Sequence, residues 1–204
     1  GVAPAGAMLT SPVKMFTRAI DINAAANVVL AQAFLPAMIS NNHGHFMTVA
    51  SSASYFSLPN LCAYSMSKTA ALAFLESLRA ELRAVYKACR VRTSVVTPTK
   101  VRTVLAEGLN EGDDDFLMPV LEPIQVARAM ADTLNSGLSR IISLPLGSAL
   151  LPYLRALPEW YRGALRAMGN TDALVTPESI SRGQQALRGH QSNLDHMKKL
   201  GVHS

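Results

Sequence analysis

The residues best suited to chemistry are a tyrosine and a lysine four positions apart, Tyr64 and Lys68. Apolar residues recur at helical spacing from position 71 to 82, which predicts a helix that places Tyr64 and Lys68 one turn apart on one face. A neighbouring ammonium stabilises a phenolate, so we predict that Lys68 lowers the pKa of Tyr64 from its ordinary value of about 10. Such a phenol can protonate a carbonyl oxygen or deprotonate an alcohol.

A serine thirteen positions before the tyrosine is the third candidate. Ser51 follows the apolar run 45–50, which comes after Gly44 and predicts a short buried strand. Open α/β sheets bind their ligands at the carboxyl ends of strands. We therefore predict that the Ser51 hydroxyl holds a substrate oxygen beside Tyr64 while that oxygen gains charge. An exposed i,i+4 pair on a helix is the alternative explanation of Tyr64 and Lys68 alone, and the serine favours the catalytic one.

Three segments together resemble the short-chain dehydrogenase/reductase family, in its retinol- and hydroxysteroid-dehydrogenase-like subgroup. These segments are Asp21-Ile22-Asn23, Val49-Ala50-Ser51 and Ala63-Tyr64-Ser65-Met66-Ser67-Lys68. The resemblance implies that Asn23, Ser51, Tyr64 and Lys68 are catalytic. It also implies that Asn23 bends its helix and binds a relay water, and that Lys68 holds a cofactor ribose as well as tuning Tyr64.

A fourth segment, Val95–Thr103, resembles the Pro-Gly-x-Val-x-Thr element of the family, with Thr99 where the pattern usually has glycine. The resemblance implies a cofactor, NAD or NADP, that is contacted by Pro98, Val101 and Thr103. The same cofactor is expected to contact Asn23, Tyr64 and Lys68. Because glycine permits backbone turns that threonine resists, we expect the chain to differ locally at Thr99.

The start of the chain bears on this expectation. Gly1 resembles the last glycine of the family's Asn-Asn-Ala-Gly segment, and no G-x-G-x-x-G occurs in the 204 residues. That motif seats the pyrophosphate in dinucleotide-binding domains. We therefore expect a fragment: the C-terminal part of a doubly wound α/β Rossmann-type parallel sheet, truncated at its N-terminus, over residues 1–170. A polar tail over 171–204, which we expect to be mobile, follows it.

Hydrophobic periodicity indicates helices and strands in alternation, as in a parallel α/β domain. The predicted helices lie near 23–40, 62–88, 123–136 and 148–168, and the predicted strands near 45–51, 91–97 and 140–144.

Composition disfavours several classes of protein. The chain has 19 basic and 14 acidic residues, a formal charge of +5, and 6% aromatic residues that do not interleave with a basic run, so we predict no nucleic-acid binding. Neither the two cysteines nor the five histidines have metal-ligand spacing, so we predict no metal. The acidic run Asp113–Asp115 is interpreted as a solvated loop in preference to a calcium site.

The segment 144–168 mixes apolar residues with Arg155, Arg162 and Arg166, and is interrupted by Pro152 and Pro158. It is explained equally well as a pair of interfacial helices that contact a membrane surface, or as a cover over a substrate cleft or dimer face. The family resemblance implies an intracellular location, either cytoplasmic or on the surface of the endoplasmic reticulum or lipid droplets. It also implies a homodimer through helices near 24–40 and 64–86.

The predicted function is NAD(P)-dependent oxidation of a hydrophobic alcohol, or reduction of the matching ketone or aldehyde. The alternative is a catalytically inactive, truncated member that acts through protein or membrane-surface binding, for example by pairing an open sheet edge.

Overall fold

In the part of the chain that the structure describes, the sheet has three parallel strands that pair in chain order, as predicted for an α/β chain. The computed structural model describes residues 1–106 and 119–168, together with 175, 176, 178, 180 and 181. The strands are β1 (Gly44–Val49), β2 (Val91–Pro98) and β3 (Ile141–Leu144). Since all three run in one direction, their carboxyl ends lie at one edge of the sheet.

Helices connect the strands. They are α1 (Val13–Ile20), a π-helical turn (Asp21–Ala25), α2 (Ala26–Ser40), α3 (Cys62–Ala84), α4 (Pro123–Ser136), α5 (Leu151–Leu154) and α6 (Glu159–Met168). Short 3-10 turns occupy Ser52–Ser54, Val104–Ala106 and Leu146–Leu150. Helix α4 has the predicted bounds, with a capping box at Glu122 and a left-handed Gly137 at its end.

Helix α3 and the sheet form the core that positions the site. Leu72, Leu75 and Leu82 of α3 are buried in one cluster with Val91 and Val95 of β2. Burying each leucine contributes about 1.5–3 kcal/mol, so this face fixes α3 firmly against the sheet. Tyr64 and Lys68 lie in the first two turns of the same helix, so this packing also fixes their position relative to the sheet.

Helical structure begins at Val13, well before the predicted start near residue 23. Pro12 occupies the N-cap position in an extended conformation, which suits a residue that cannot donate a backbone hydrogen bond. Ala19 is fully buried, and α1 contacts α3. The polar residues Lys14, Thr17 and Arg18 around Ala19 mask the apolar periodicity by which this helix could have been recognised in the sequence.

Two predicted helices are shorter or broken. Helix α3 ends at Ala84 instead of near 88, because Lys87 takes a positive φ of 54° and the chain turns so that Ala88 N–H donates to Leu82 O at 2.8 Å. The predicted helix 148–168 is divided into the 3-10 turn, α5 and α6. Pro158 directly precedes α6, where a proline can begin a helix but cannot continue one.

The stretch Val13–Ser40 is helical throughout, and it is long and apolar enough, by length and composition alone, to cross a membrane. Core helices of soluble proteins meet the same criterion. Ala31 and Leu35 of this stretch are buried in the core cluster, and the π-helical turn within it carries the candidate residue Asn23.

The predicted domain boundary at 170 lies among residues that the structure does not describe. Val175 beyond it is buried, and its carbonyl accepts a hydrogen bond from Asn60 Nδ2 at 2.8 Å. The folded part therefore includes Val175. The division into residues 1–170 and a tail, 171–204, stays a prediction, and most of that tail lies outside the described residues.

Candidate active site

The carboxyl ends of β1 and β2 and the start of α3 meet at one corner of the sheet. Lys68 Nζ donates to Val49 O at 2.8 Å, and Val49 is the last residue of β1. Ser51 Oγ lies 3.5 Å from Pro98 O, at the end of β2. The structure thus brings together Ser51, Lys68 and Pro98, which are far apart in the sequence.

Ser51 is held in a fixed conformation. Its backbone is extended, with φ −166° and ψ 159°, and its side chain caps the 3-10 turn that follows by accepting a hydrogen bond from Ala53 N at 3.2 Å. The residue is buried, and it lies close enough to the Tyr64 phenol to affect its ionisation. The predicted pairing of Ser51 with Tyr64 therefore matches the geometry.

The pKa of Tyr64 departs from the sequence-based prediction. Burial raises the pKa of Tyr64 above its ordinary value, and the hydrogen bond from the Ser51 hydroxyl offsets part of this rise. Lys68 Nζ lies 6.0 Å from the centre of the Tyr64 ring and donates to the Val49 carbonyl. The predicted fall in the pKa of Tyr64 is wrong for this arrangement, because burial of the phenol raises that pKa.

Lys68 is itself unusual, since only 8% of its surface is exposed. Burial lowers the pKa of the Lys68 ammonium. A lysine has three hydrogens to donate, and one is given to Val49 O. Two donor hydrogens therefore remain on Lys68 Nζ.

Asn23 lies in the π-helical turn, as the expected bend in its helix implies. Its Nδ2 donates to Val2 O at 2.7 Å and to Ser67 Oγ at 2.9 Å, and its Oδ1 accepts from Val2 N at 2.9 Å. Ser67 Oγ in turn donates to Tyr64 O at 2.7 Å. Asn23 is therefore connected to the Tyr64 segment through a buried serine.

Sequence reasoning missed two residues of this network, Ser67 and Asn27. Ser67 is fully buried one turn after Tyr64. Asn27 Nδ2 donates to the Asn23 carbonyl at 2.8 Å. The available signal was the spacing, since Asn27 lies four positions after Asn23 and Ser67 three after Tyr64, and such positions share a helix face.

The loop after β2 carries the other predicted cofactor residues. Pro98 is buried, and Val101 forms a parallel bridge with Leu121. Thr103 is exposed, and its hydroxyl donates to Val101 O at 3.3 Å. Val101 and Thr103 therefore lie on a loop beyond β2 that the bridge to Leu121 holds in place. The structure shows no contact between these two residues and Tyr64 or Lys68.

Thr99 replaces glycine without a left-handed backbone. Positive φ among the described residues other than glycine occurs at Asn42, Asn60 and Lys87 only. Thr99 N–H donates to Leu144 O at 2.9 Å, which ties the loop to the end of β3. Thr99 therefore does not adopt the left-handed conformation that favours glycine. Its hydroxyl is buried and has no hydrogen-bond partner among the described residues.

Within the described part of the chain, no group of three or more His, Cys, Asp or Glu side chains is placed to hold a metal ion. The predicted solvated loop Asp113–Asp115 lies outside that part.

Comparison with known proteins is informative once this geometry is known. The family described as short chain dehydrogenase matches residues 1–114, which is more than half of the chain. The chain belongs to this family. The match includes Asn23, Ser51, Tyr64 and Lys68 together with the strand ends that hold them.

The relatives lie in the predicted subgroup. The chain is 36% identical over 150 residues to human estradiol 17-beta-dehydrogenase 11, covering 73% of this chain and 48% of that protein. It is 34% identical over 134 residues to mouse epidermal retinol dehydrogenase 2, covering 66% and 43%. The chain thus spans about half the length of the curated relatives that it matches.

Solved structures confirm the fold. A short chain dehydrogenase from Burkholderia cenocepacia, solved in complex with NADP, superposes with a TM-score of 0.66 at 23% identity. The match covers 82% of this chain and 66% of that one. At this identity the likeness establishes the Rossmann-type α/β fold and nothing finer.

Proposed function

We propose that the protein is an oxidoreductase that interconverts a hydrophobic alcohol and its ketone or aldehyde with a nicotinamide dinucleotide. The observation that carries the proposal is the buried corner where Ser51, Tyr64 and Lys68 meet the ends of β1 and β2. Family membership supports the same reaction class. Two relatives are named for estradiol and retinol, which are both lipophilic alcohols.

Features of the corner fit the nicotinamide and ribose of such a cofactor. A Cβ on Gly1 would lie 2.9 Å from Asn23 Oδ1 and 3.8 Å from Lys68 Nζ, so the lack of a side chain lets the Gly1 backbone lie close to both groups. Lys68 has hydrogens left for a ribose hydroxyl. The unpartnered Thr99 hydroxyl lies next to Pro98, on the loop that we assign with Val101 and Thr103 to the nicotinamide. The choice between NAD and NADP is left to experiment.

Each side chain has a distinct task in this reaction. The nicotinamide, when bound, supplies or accepts the hydride. Ser51 holds the substrate oxygen, and Tyr64 gives its phenolic proton to that oxygen during reduction or removes it during oxidation. Lys68 provides positive charge beside a phenolate that burial otherwise disfavours. Asn23 carries the relay that replaces the proton of Tyr64.

The test is turnover by the natural protein that carries this sequence, with NAD and NADP supplied in parallel. Tyr64→Phe should reduce turnover at least about 100-fold, the usual contribution of a positioned acid, while cofactor binding is retained. Tyr86→Phe is the matched control, because Tyr86 is exposed beyond the end of α3. Retention of more than a few per cent of activity by Tyr64→Phe would reject the assignment.

The same experiment judges the alternative function. A natural protein that folds, turns over neither alcohols nor ketones and binds neither dinucleotide would be a non-enzymatic family member. In the described residues, strand β1 lies at one edge of the sheet, and it is the surface on which such a member could pair with a partner strand.

We also propose that the segment Leu146–Met168, here called the outer segment, contacts the surface of an intracellular membrane. Leu146 is 84% exposed, Tyr153 72% and Trp160 75%. The outer segment contains three arginines and one acidic residue, Glu159, which favours an anionic lipid surface. A membrane surface is also where lipophilic alcohols concentrate.

Self-association through α2 is a further proposal. Val29, Leu30 and Phe34 are exposed on this helix. An apolar face of this kind favours a second copy of the chain as a partner. Sedimentation of the natural protein should give a dimer that Phe34→Glu dissociates. A monomer at micromolar concentration would contradict it.

A further inference from the structure

The Asn27 side chain contacts both the π-helical turn and the sheet. Asn27 lies in the first turn of α2, immediately after the π-helical turn that contains Asn23. Its Nδ2 donates to the Asn23 carbonyl at 2.8 Å and lies 3.3 Å from the Ala24 carbonyl. In a π-helical turn the carbonyls leave the regular α-helical pattern, so a side-chain donor can fix their direction.

Asn27 also connects this turn to the sheet. Its Oδ1 accepts a hydrogen bond from Thr48 Oγ1 at 3.4 Å. Thr48 is buried in β1, one residue before Val49, whose carbonyl binds Lys68 Nζ. One amide therefore joins the π-helical turn to the part of β1 that positions the lysine.

The hydrogen bonds of Asn23 show which of its atoms could take part in a proton relay. Both Nδ2 hydrogens are given away, to Val2 O and Ser67 Oγ. A proton relay through Asn23 must therefore use one of its two acceptor oxygens. Val2 N–H holds Oδ1, and Asn27 holds the main-chain carbonyl. A carbonyl oxygen has two lone pairs, so the contact with Asn27 limits the directions from which the Asn23 carbonyl can accept another hydrogen bond.

We propose that Asn27 is a positioning residue of the reaction: it orients the Asn23 carbonyl in the π-helical turn and ties that turn to β1 beside Lys68. This inference rests on the proposed oxidoreductase function. It requires both ends of the amide, the donor toward Asn23 and the acceptor toward Thr48.

Three variants of the natural protein separate these roles. Asn27→Leu removes donor and acceptor, Asn27→Asp keeps an acceptor for Thr48 but places carboxylate oxygens against carbonyls, and Asn27→Gln keeps an amide. Asn41→Asp makes the same charge change at an exposed position at the end of α2. We expect Asn27→Leu and Asn27→Asp to lower kcat about tenfold, with the cofactor KM within about twofold, since misplacement mainly affects the chemical step. Asn27→Gln should recover more activity than Asn27→Leu.

Two readouts distinguish positioning from mere stability. Hydrogen exchange of the peptide around 21–27 should accelerate in Asn27→Leu but not in Asn41→Asp, whether or not the protein turns over. The pH–rate profile of Asn27→Asp should move to higher pH, because an added carboxylate disfavours the phenolate. Unchanged exchange, or faster exchange with a wild-type kcat and pH profile, would overturn the inference. An inactive wild-type protein would instead reject the proposed function, and with it the catalytic part of this role, even if the exchange difference is found.

Discussion

The corner that holds Ser51, Tyr64 and Lys68 and the outer segment both depart from the usual placement of side chains, in opposite ways. At the corner, polar groups are buried: Asn23 is 4% exposed, Ser51 6% and Lys68 8%. In the outer segment, large apolar groups such as Leu146 and Trp160 are exposed. Each arrangement is unfavourable unless the groups find partners.

The partners differ between the two regions. At the corner they lie within the chain, since Lys68 is bonded to Val49 and Asn23 to Val2 and Ser67. In the outer segment, Leu146, Tyr153 and Trp160 stay mostly exposed among the described residues. Internal hydrogen bonds therefore satisfy the buried polar groups of the corner, whereas for the exposed apolar groups of the outer segment we propose a membrane surface as the partner.

The largest effect should come from the corner. Lys68→Met should reduce turnover about 100-fold or more, because it removes the charge that stabilises the Tyr64 phenolate. Lys14→Met is the matched control, since Lys14 is exposed on α1. Activity near the wild-type level in Lys68→Met would mean that the buried ammonium has only a structural role.

The same variant has a defined pH signature in stability. Burial lowers the pKa of Lys68 in the folded state, so the unfolded chain binds more protons between that pKa and about 10.5. The wild-type protein should therefore gain stability relative to Lys68→Met as pH rises through this window, and bear the full desolvation cost below it. Urea unfolding at several pH values measures the difference, and a constant difference would contradict the burial of a charged amine.

The second largest effect concerns the two reaction directions. Burial raises the pKa of Tyr64, so the phenol is protonated at neutral pH. Reduction, which needs the proton, should stay flat with pH through the ordinary tyrosine pKa of about 10, because the pKa of Tyr64 lies above it. Oxidation, which needs the phenolate, should still be rising about tenfold per pH unit at that pH. Steady-state rates in both directions check this, and an oxidation rate that levels off near neutral pH would show that the assembled site lowers the pKa of Tyr64.

Much of this corner was predictable because its signals are local. The spacing of Tyr64 and Lys68, and Ser51 at the end of an apolar run, follow from helix and strand periodicity. The raised pKa of Tyr64 was not predictable, since it depends on how deeply the folded chain buries the phenol. Asn27 was missed for a similar reason, because its contact with Thr48 joins residues 21 positions apart.

The fold shows the same division. Helix α4 was predicted at its observed bounds, and Glu122, Pro123 and Gly137 at its ends are local start and stop signals. Helix α1 was missed because its burial depends on contact with α3, a distant element. Sequence patterns therefore located the elements with caps or strong periodicity, and tertiary packing decided the others.

A smaller effect is expected for a substitution in the outer segment, which should change vesicle binding but not turnover. Tyr153→Ser should weaken binding to phosphatidylserine-containing vesicles about tenfold, because it removes an exposed ring that would enter the interface. It should leave turnover of a soluble substrate unchanged. Tyr86→Ser, at an exposed tyrosine beyond α3, is the control. Equal binding to neutral phosphatidylcholine vesicles, or no vesicle binding by the wild type, would remove the membrane proposal.

The smallest effect tests the contact that connects the two regions. The Arg166 guanidinium of α6 lies 5.1 Å from the centre of the Phe56 ring, on the loop that follows Ser51. A double-mutant cycle with Phe56→Leu and Arg166→Gln should give a coupling of about 0.5–1 kcal/mol in the free energy of unfolding. Phe34→Leu on α2 with Arg166→Gln should give none, since Phe34 is exposed on a different element. Because Arg166 also bonds Glu159 at 3.0 Å, the single variant alone would overstate the ring contact, and only the cycle isolates it. A coupling of zero would mean that the outer segment and the catalytic corner are energetically independent at this contact, and that lipid binding at one should not alter turnover at the other through it.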